Sequence, residues 1–123
     1  MAMVESTERK TLILDIDGTL VMHHGKGLKG QFDEPLQVLP GVIKKFHEWD
    51  TKSYNIILLT GRRESHRAET ERQLRDAGLF WDQLVMGVGP GPRYLINDGR
   101  FDGTVMTFAI NVKRNGGLEE IDV

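Results

Sequence analysis

Three short apolar runs, each ending in a polar cluster that holds a glycine, constrain this chain more than any other feature. They are Thr11 to Ile16, Tyr54 to Leu59 and Tyr94 to Ile96, followed by Asp15-Ile16-Asp17-Gly18-Thr19, Thr60-Gly61-Arg62 and Asn97-Asp98-Gly99. Near-continuous apolar runs of this length suit strands buried on both faces, as in a parallel sheet. Helical patterns separate the first two. Val42, Ile43, Phe46 and Trp49 recur at helical spacing after Pro40, which fits the first turn of a helix. Residues 62–77 read as a second, strongly charged helix, with Arg67–Glu71 and Glu71–Arg75 at i,i+4 spacing and Gly78 as its stop. Leu84 to Met86 reads as a short strand, Tyr94 to Ile96 as the start of another, and Val105 to Val112 as the last. The order predicts an α/β domain with a mostly parallel central sheet.

The length of 123 residues suits a single domain over 1–123, with residues 1–10 as a loose polar tail. The 18 acidic and 16 basic residues nearly cancel, so the chain lacks the cationic excess on which bulk nucleic-acid binding rests. Cysteine is absent, which excludes disulfide scaffolds and thiolate metal sites. No apolar run approaches a membrane span, and the first ten residues lack the apolar centre of a signal peptide. A cytoplasmic domain without membrane attachment is the expectation.

Ligands of open α/β sheets bind beyond the carboxyl ends of the strands, so the three polar clusters are the candidate site. Asp15 and Asp17 stand two apart and share one side of an extended chain. Two such carboxylates raise each other's proton affinity unless a divalent cation or a shared proton relieves them. Gly18 permits a sharp departure of the backbone. Thr60, Gly61 and the start of a helix make an anion site, to which Arg62 and Arg63 add charge. Asp98 can complete an oxygen-rich site with Asp15 and Asp17, of the kind magnesium prefers. His23, His24, Lys26 and Lys29 form a basic stretch just beyond the first motif and read first as a solvated loop.

Together these residues resemble the haloacid dehalogenase-like phosphatase superfamily. Leu14-Asp15-Ile16-Asp17-Gly18-Thr19-Leu20 is similar to its first motif, Leu59-Thr60-Gly61-Arg62 to its second and Ile96-Asn97-Asp98 to its fourth, over roughly residues 11–112. The resemblance implies a Rossmann-like, three-layer domain in a minimal, uncapped form. It implies an Mg2+-dependent phosphomonoesterase in which Asp15 is the nucleophile and Asp17 the acid/base. Thr60 would hold the phosphoryl group, with Gly18, Gly61, Arg62 and Asn97 around the phosphate. Asp15, Asp17 (through its carbonyl) and Asp98 would hold the metal. The third motif is usually a lysine, and Arg93 is the substitute here.

Residues 21–39 leave little room for a cap domain. An open site suits a large substrate, or neighbouring subunits of a homo-oligomer can close it over a small one. The expected substrate is a sugar or other small-molecule phosphate. A nucleic-acid 3′-end phosphatase and a catalytically degenerate phosphate-binding domain are the alternatives.

Overall fold

A computed structural model of the protein describes residues 6–25, 32 and 35–123. Its elements are β1 (Thr11–Asp15), α1 (Val42–Thr51), β2 (Asn55–Leu59), a single 3-10 turn (Glu64–His66), α2 (Arg67–Asp76) and β3 (Gln83–Val85). The strands form one parallel sheet in the order β1-β2-β3. This is the α/β Rossmann-like arrangement that the alternation of strand and helix patterns predicts.

Register decides which side chains are buried. Leu12, Leu14, Ile56, Leu58 and Leu84 fall on one face of the sheet, because Leu12 pairs with Ile56, Leu14 with Leu58 and Leu58 with Leu84. Phe46 and Trp49 of α1 and Leu74 of α2 are fully buried in the same cluster. At roughly 1.5–3 kcal/mol for each fully buried large apolar side chain, this face is the main source of cohesion. The opposite face is more open: Ile13 is 49% exposed and Val85 41%.

The first helix starts at Val42, just beyond Pro40, because Gly41 takes a left-handed conformation (φ 80°) at its N-cap. The C-terminal segment packs against this turn. The Leu118 N–H donates to the Pro40 carbonyl (2.8 Å), and the buried Leu118 side chain joins the core. Gly117, also left-handed, lies so close that a Cβ there would stand 2.3 Å from the Pro40 oxygen. The Trp49 indole N–H donates to the Val123 carbonyl at 3.1 Å.

Two expected strands are absent. Tyr94 to Ile96 and Val105 to Val112 form no strand, with only an isolated bridge at Val105, and Tyr94 and Ile96 are 87% and 92% exposed. A ladder needs a partner as well as apolar side chains. The run Gly87-Val88-Gly89-Pro90-Gly91-Pro92 carries the chain away from β3 with two prolines that cannot donate. The second helix is also shorter than expected. Arg62 and Arg63 precede it, because the Arg62 N–H donates to Thr60 Oγ1 (3.1 Å) and Arg63 is extended (φ −69°, ψ 146°).

No helix among the described residues is long and apolar enough to cross a membrane.

Gly117→Ala combines a left-handed backbone with a clash against Pro40. It is expected to lose roughly 2 kcal/mol of stability, read as a lower urea midpoint at unchanged slope.

Candidate functional site

Asp15 ends β1, paired in register with Leu59, the last residue of β2. Thr60 follows directly. Its N–H donates to the Val85 carbonyl (3.0 Å), so the ends of all three strands meet here. Asp15 and Thr60 therefore stand on neighbouring strands, whose spacing is about 4.8 Å in a parallel sheet.

Asp15 is half-buried, and that burial raises its carboxyl above the ordinary carboxylate range. The charge of Arg93 is the strongest opposing influence. A hydrogen bond from the Ile16 backbone and the charge of Arg114 act in the same direction as Arg93, while Asp17 pushes the value further up. Both arginines thus lie close enough to act on Asp15. Among the described residues, neither is in an ion pair. Arg93 also donates from Nη1 to the Gly91 carbonyl (2.8 Å).

Asp17 is engaged differently. Arg62, whose side chain is 1% exposed, grips it in a fork, with Nε to Oδ2 at 3.1 Å and Nη2 to Oδ1 at 2.9 Å. The remaining guanidinium nitrogen donates to Gln73 Oε1 (2.8 Å) and Thr70 Oγ1 (3.4 Å) on α2. Arg62, expected beside the phosphate, is turned inward instead. The physical reason is that a buried guanidinium requires a carboxylate, and Asp17 supplies one.

Gly18 is buried with φ 93°, and its N–H donates to the Val21 carbonyl (2.8 Å), so that donor is already used within the turn. Thr60 is buried as well. Its oxygen accepts from the Arg62 N–H, which leaves its hydroxyl proton to donate. Gly61 beside it is exposed.

Asn97 and Asp98 are exposed, on the irregular segment after Ile96. Asn97 Nδ2 donates to the Asp98 carbonyl (3.0 Å). Asp98 is not gathered with Asp15 and Asp17, because the strand expected to carry it there does not form. Among the described residues no three His, Cys, Asp or Glu side chains are grouped to hold a metal ion. The fork from Arg62 engages the Asp17 carboxylate and leaves untouched the Asp17 carbonyl, the atom expected to face a magnesium ion.

Lys26 and Lys29 lie outside the described residues. His23 is tied to Asn115 through its backbone, and His24 is exposed. Sequence reasoning missed Arg114 and Asn115 because the recognisable motifs stop at Val112. The available signal was the Lys113-Arg114-Asn115-Gly116-Gly117 run, a turn composition carrying two cations.

The fold and this site define an α/β Rossmann-like domain with a half-buried carboxylate at the strand ends, in the field of two arginines that have no ion-pair partner among the described residues. No family model and no curated protein matches the chain. Two solved structures are similar to it. One, of the Pnkp1/Rnl/Hen1 complex, has 26% sequence identity and a TM-score of 0.54, covering 76% of this chain and 33% of the matched chain. The other, of the Pnkp1/Rnl/Hen1 RNA repair complex, has 26% identity and a TM-score of 0.55, covering 82% and 30%. This chain spans about a third of the length of the chains it matches.

Two outcomes follow from the geometry. Arg62→Ala leaves Asp17 without its partner beneath the loop and is expected to cost about 3 kcal/mol or more in chemical unfolding. A carboxyl raised above its unfolded value binds protons more readily when folded, so ionised Asp15 subtracts stability as pH rises through that interval. Asp15→Asn should therefore melt at a higher temperature than the parent at pH 7. The gain should shrink as pH falls to the ordinary carboxylate range.

Proposed function

We propose that this chain is a phosphatase of the haloacid dehalogenase-like kind, acting on the phosphorylated end of an RNA through Asp15. One observation carries the reading: a half-buried carboxylate closes β1 beside Thr60, in the field of two arginines that have no ion-pair partner among the described residues. A carboxylate in a cationic setting is suited to attack a dianionic phosphate, because the cations offset the repulsion between them. The likeness to structures of an RNA repair complex supports a nucleic-acid substrate over the sugar phosphate expected first.

In the first step an Asp15 oxygen attacks phosphorus and the ester P–O bond breaks. The electron pair leaves on the ester oxygen, which takes a proton from solvent. The product is an aspartyl-phosphate. Thr60 donates its hydroxyl proton to a phosphoryl oxygen, and Arg93 balances the charge. In the second step water attacks phosphorus, the Asp15–phosphorus link breaks, and inorganic phosphate leaves. Arg62 occupies one lone pair on each Asp17 oxygen and leaves the other free. Those lone pairs suit Asp17 to take the proton of the attacking water.

The test is phosphate release, in magnesium-containing buffer, from RNA oligonucleotides ending in a 3′-phosphate and from a panel of sugar phosphates. Release is expected to be faster from the RNA end and to fall by roughly a thousandfold or more in Asp15→Asn. Undiminished turnover by Asp15→Asn overturns the mechanism. Preference for a sugar phosphate overturns the substrate.

A further inference from the structure

The segment after Val112 is bound to the loop after β1 in a way that places one side chain. Asn115 adopts a left-handed backbone (φ 63°), which asparagine tolerates better than most residues. Its N–H donates to the Gly18 carbonyl at 2.7 Å. Its side chain bonds His23 twice, Oδ1 accepting from the His23 N–H (2.8 Å) and Nδ2 donating to the His23 carbonyl (3.2 Å). These contacts join positions far apart in sequence, and Leu118, buried against the turn at Pro40, anchors the segment a few residues on.

Arg114 is thereby held against Gly18. A Cβ built on Gly18 would stand 3.3 Å from Arg114 Cγ and 3.8 Å from Arg114 Nε. The arginine stem thus lies over the glycine that follows Asp15 and Asp17. Residue 114 is exposed, and among the described residues its guanidinium has no carboxylate within ion-pairing distance. Its charge nevertheless reaches Asp15. Arg62, Arg67 and Arg72, by contrast, each have an acidic partner.

We infer that Arg114 is a phosphate-binding residue: latched over Gly18 by Asn115, it offers its guanidinium fork to the terminal phosphate presented to Asp15. This rests on the phosphatase reading above and adds the residue that holds the phosphoryl group in line. Its planar fork suits two phosphate oxygens at once, whereas a lysine would supply a point charge alone. Asn115 is a positioning residue, acting only through Arg114.

The experiment compares Arg114→Ala, Arg114→Lys, Asn115→Ala and the control Lys113→Ala, each checked for an intact thermal transition. kcat/KM on the 3′-phosphorylated oligonucleotide is expected to fall about tenfold or more in Arg114→Ala. Arg114→Lys should recover part of that loss, Asn115→Ala should follow Arg114→Ala in direction, and Lys113→Ala should match the parent. Calorimetric binding of inorganic phosphate is measured alongside and should weaken in step, independently of the leaving group. In an Asp15→Asn background, the preference for phosphate-ended over hydroxyl-ended RNA should collapse when Arg114→Ala is added. If Asp15→Asn is inactive but Arg114→Ala keeps parental kcat/KM and phosphate affinity, this inference fails and the phosphatase reading stands. If Asp15→Asn stays active, the reading itself fails. If Arg114→Ala loses its thermal transition, Arg114→Lys decides the matter through the same two measurements, with parental values overturning the inference.

Discussion

The buried guanidinium of Arg62 is the interaction on which the rest of this structure depends. Carried on the loop after β2, it bonds to Asp17 in the loop after β1 and to Gln73 and Thr70 on the buried face of α2. Burying such a charge without partners would cost many kcal/mol, so Asp17, Gln73 and Thr70 must hold their places for the fold to be favourable. The carboxylate of Asp17 then has a fixed direction, and Gly18 turns immediately after it. The orientation of Asp15, and through Gly18 the seat of the C-terminal segment, follow from that arrangement.

The two aspartates of the first motif occupy opposite electrostatic situations two residues apart. Asp17 is satisfied by a direct fork. Asp15 is partly desolvated and feels its arginines without a direct bond to either of them.

Much of the fold was legible in the sequence, because it is local. Apolar runs at Thr11 and Tyr54, the helical spacing of Phe46 and Trp49, and the punctuation by Pro40 and Gly78 each specify an element within a few residues. Asp15 and Thr60 were legible at the site because strand ends in a parallel sheet necessarily come together. What was not legible depends on distant partners. Tyr94 to Ile96 is as apolar as β1, yet it joins no ladder, and with it Asp98 stays away from Asp15. Arg62 looked like a ligand for an external anion until its internal partner was seen. Arg114 lies over Gly18 because its neighbour Asn115 bonds to Gly18 and His23, contacts that no local pattern announces.

The closure of the C-terminal segment onto Gly18 also has a temporal meaning. β1, β2, β3 and both helices lie within residues 11–85, whereas Leu118, which completes the buried core, comes later in the chain. The contact over Gly18 waits for Asn115, and the packing against Pro40 waits for Leu118. During synthesis the carboxylate of Asp15 is therefore present long before Arg114.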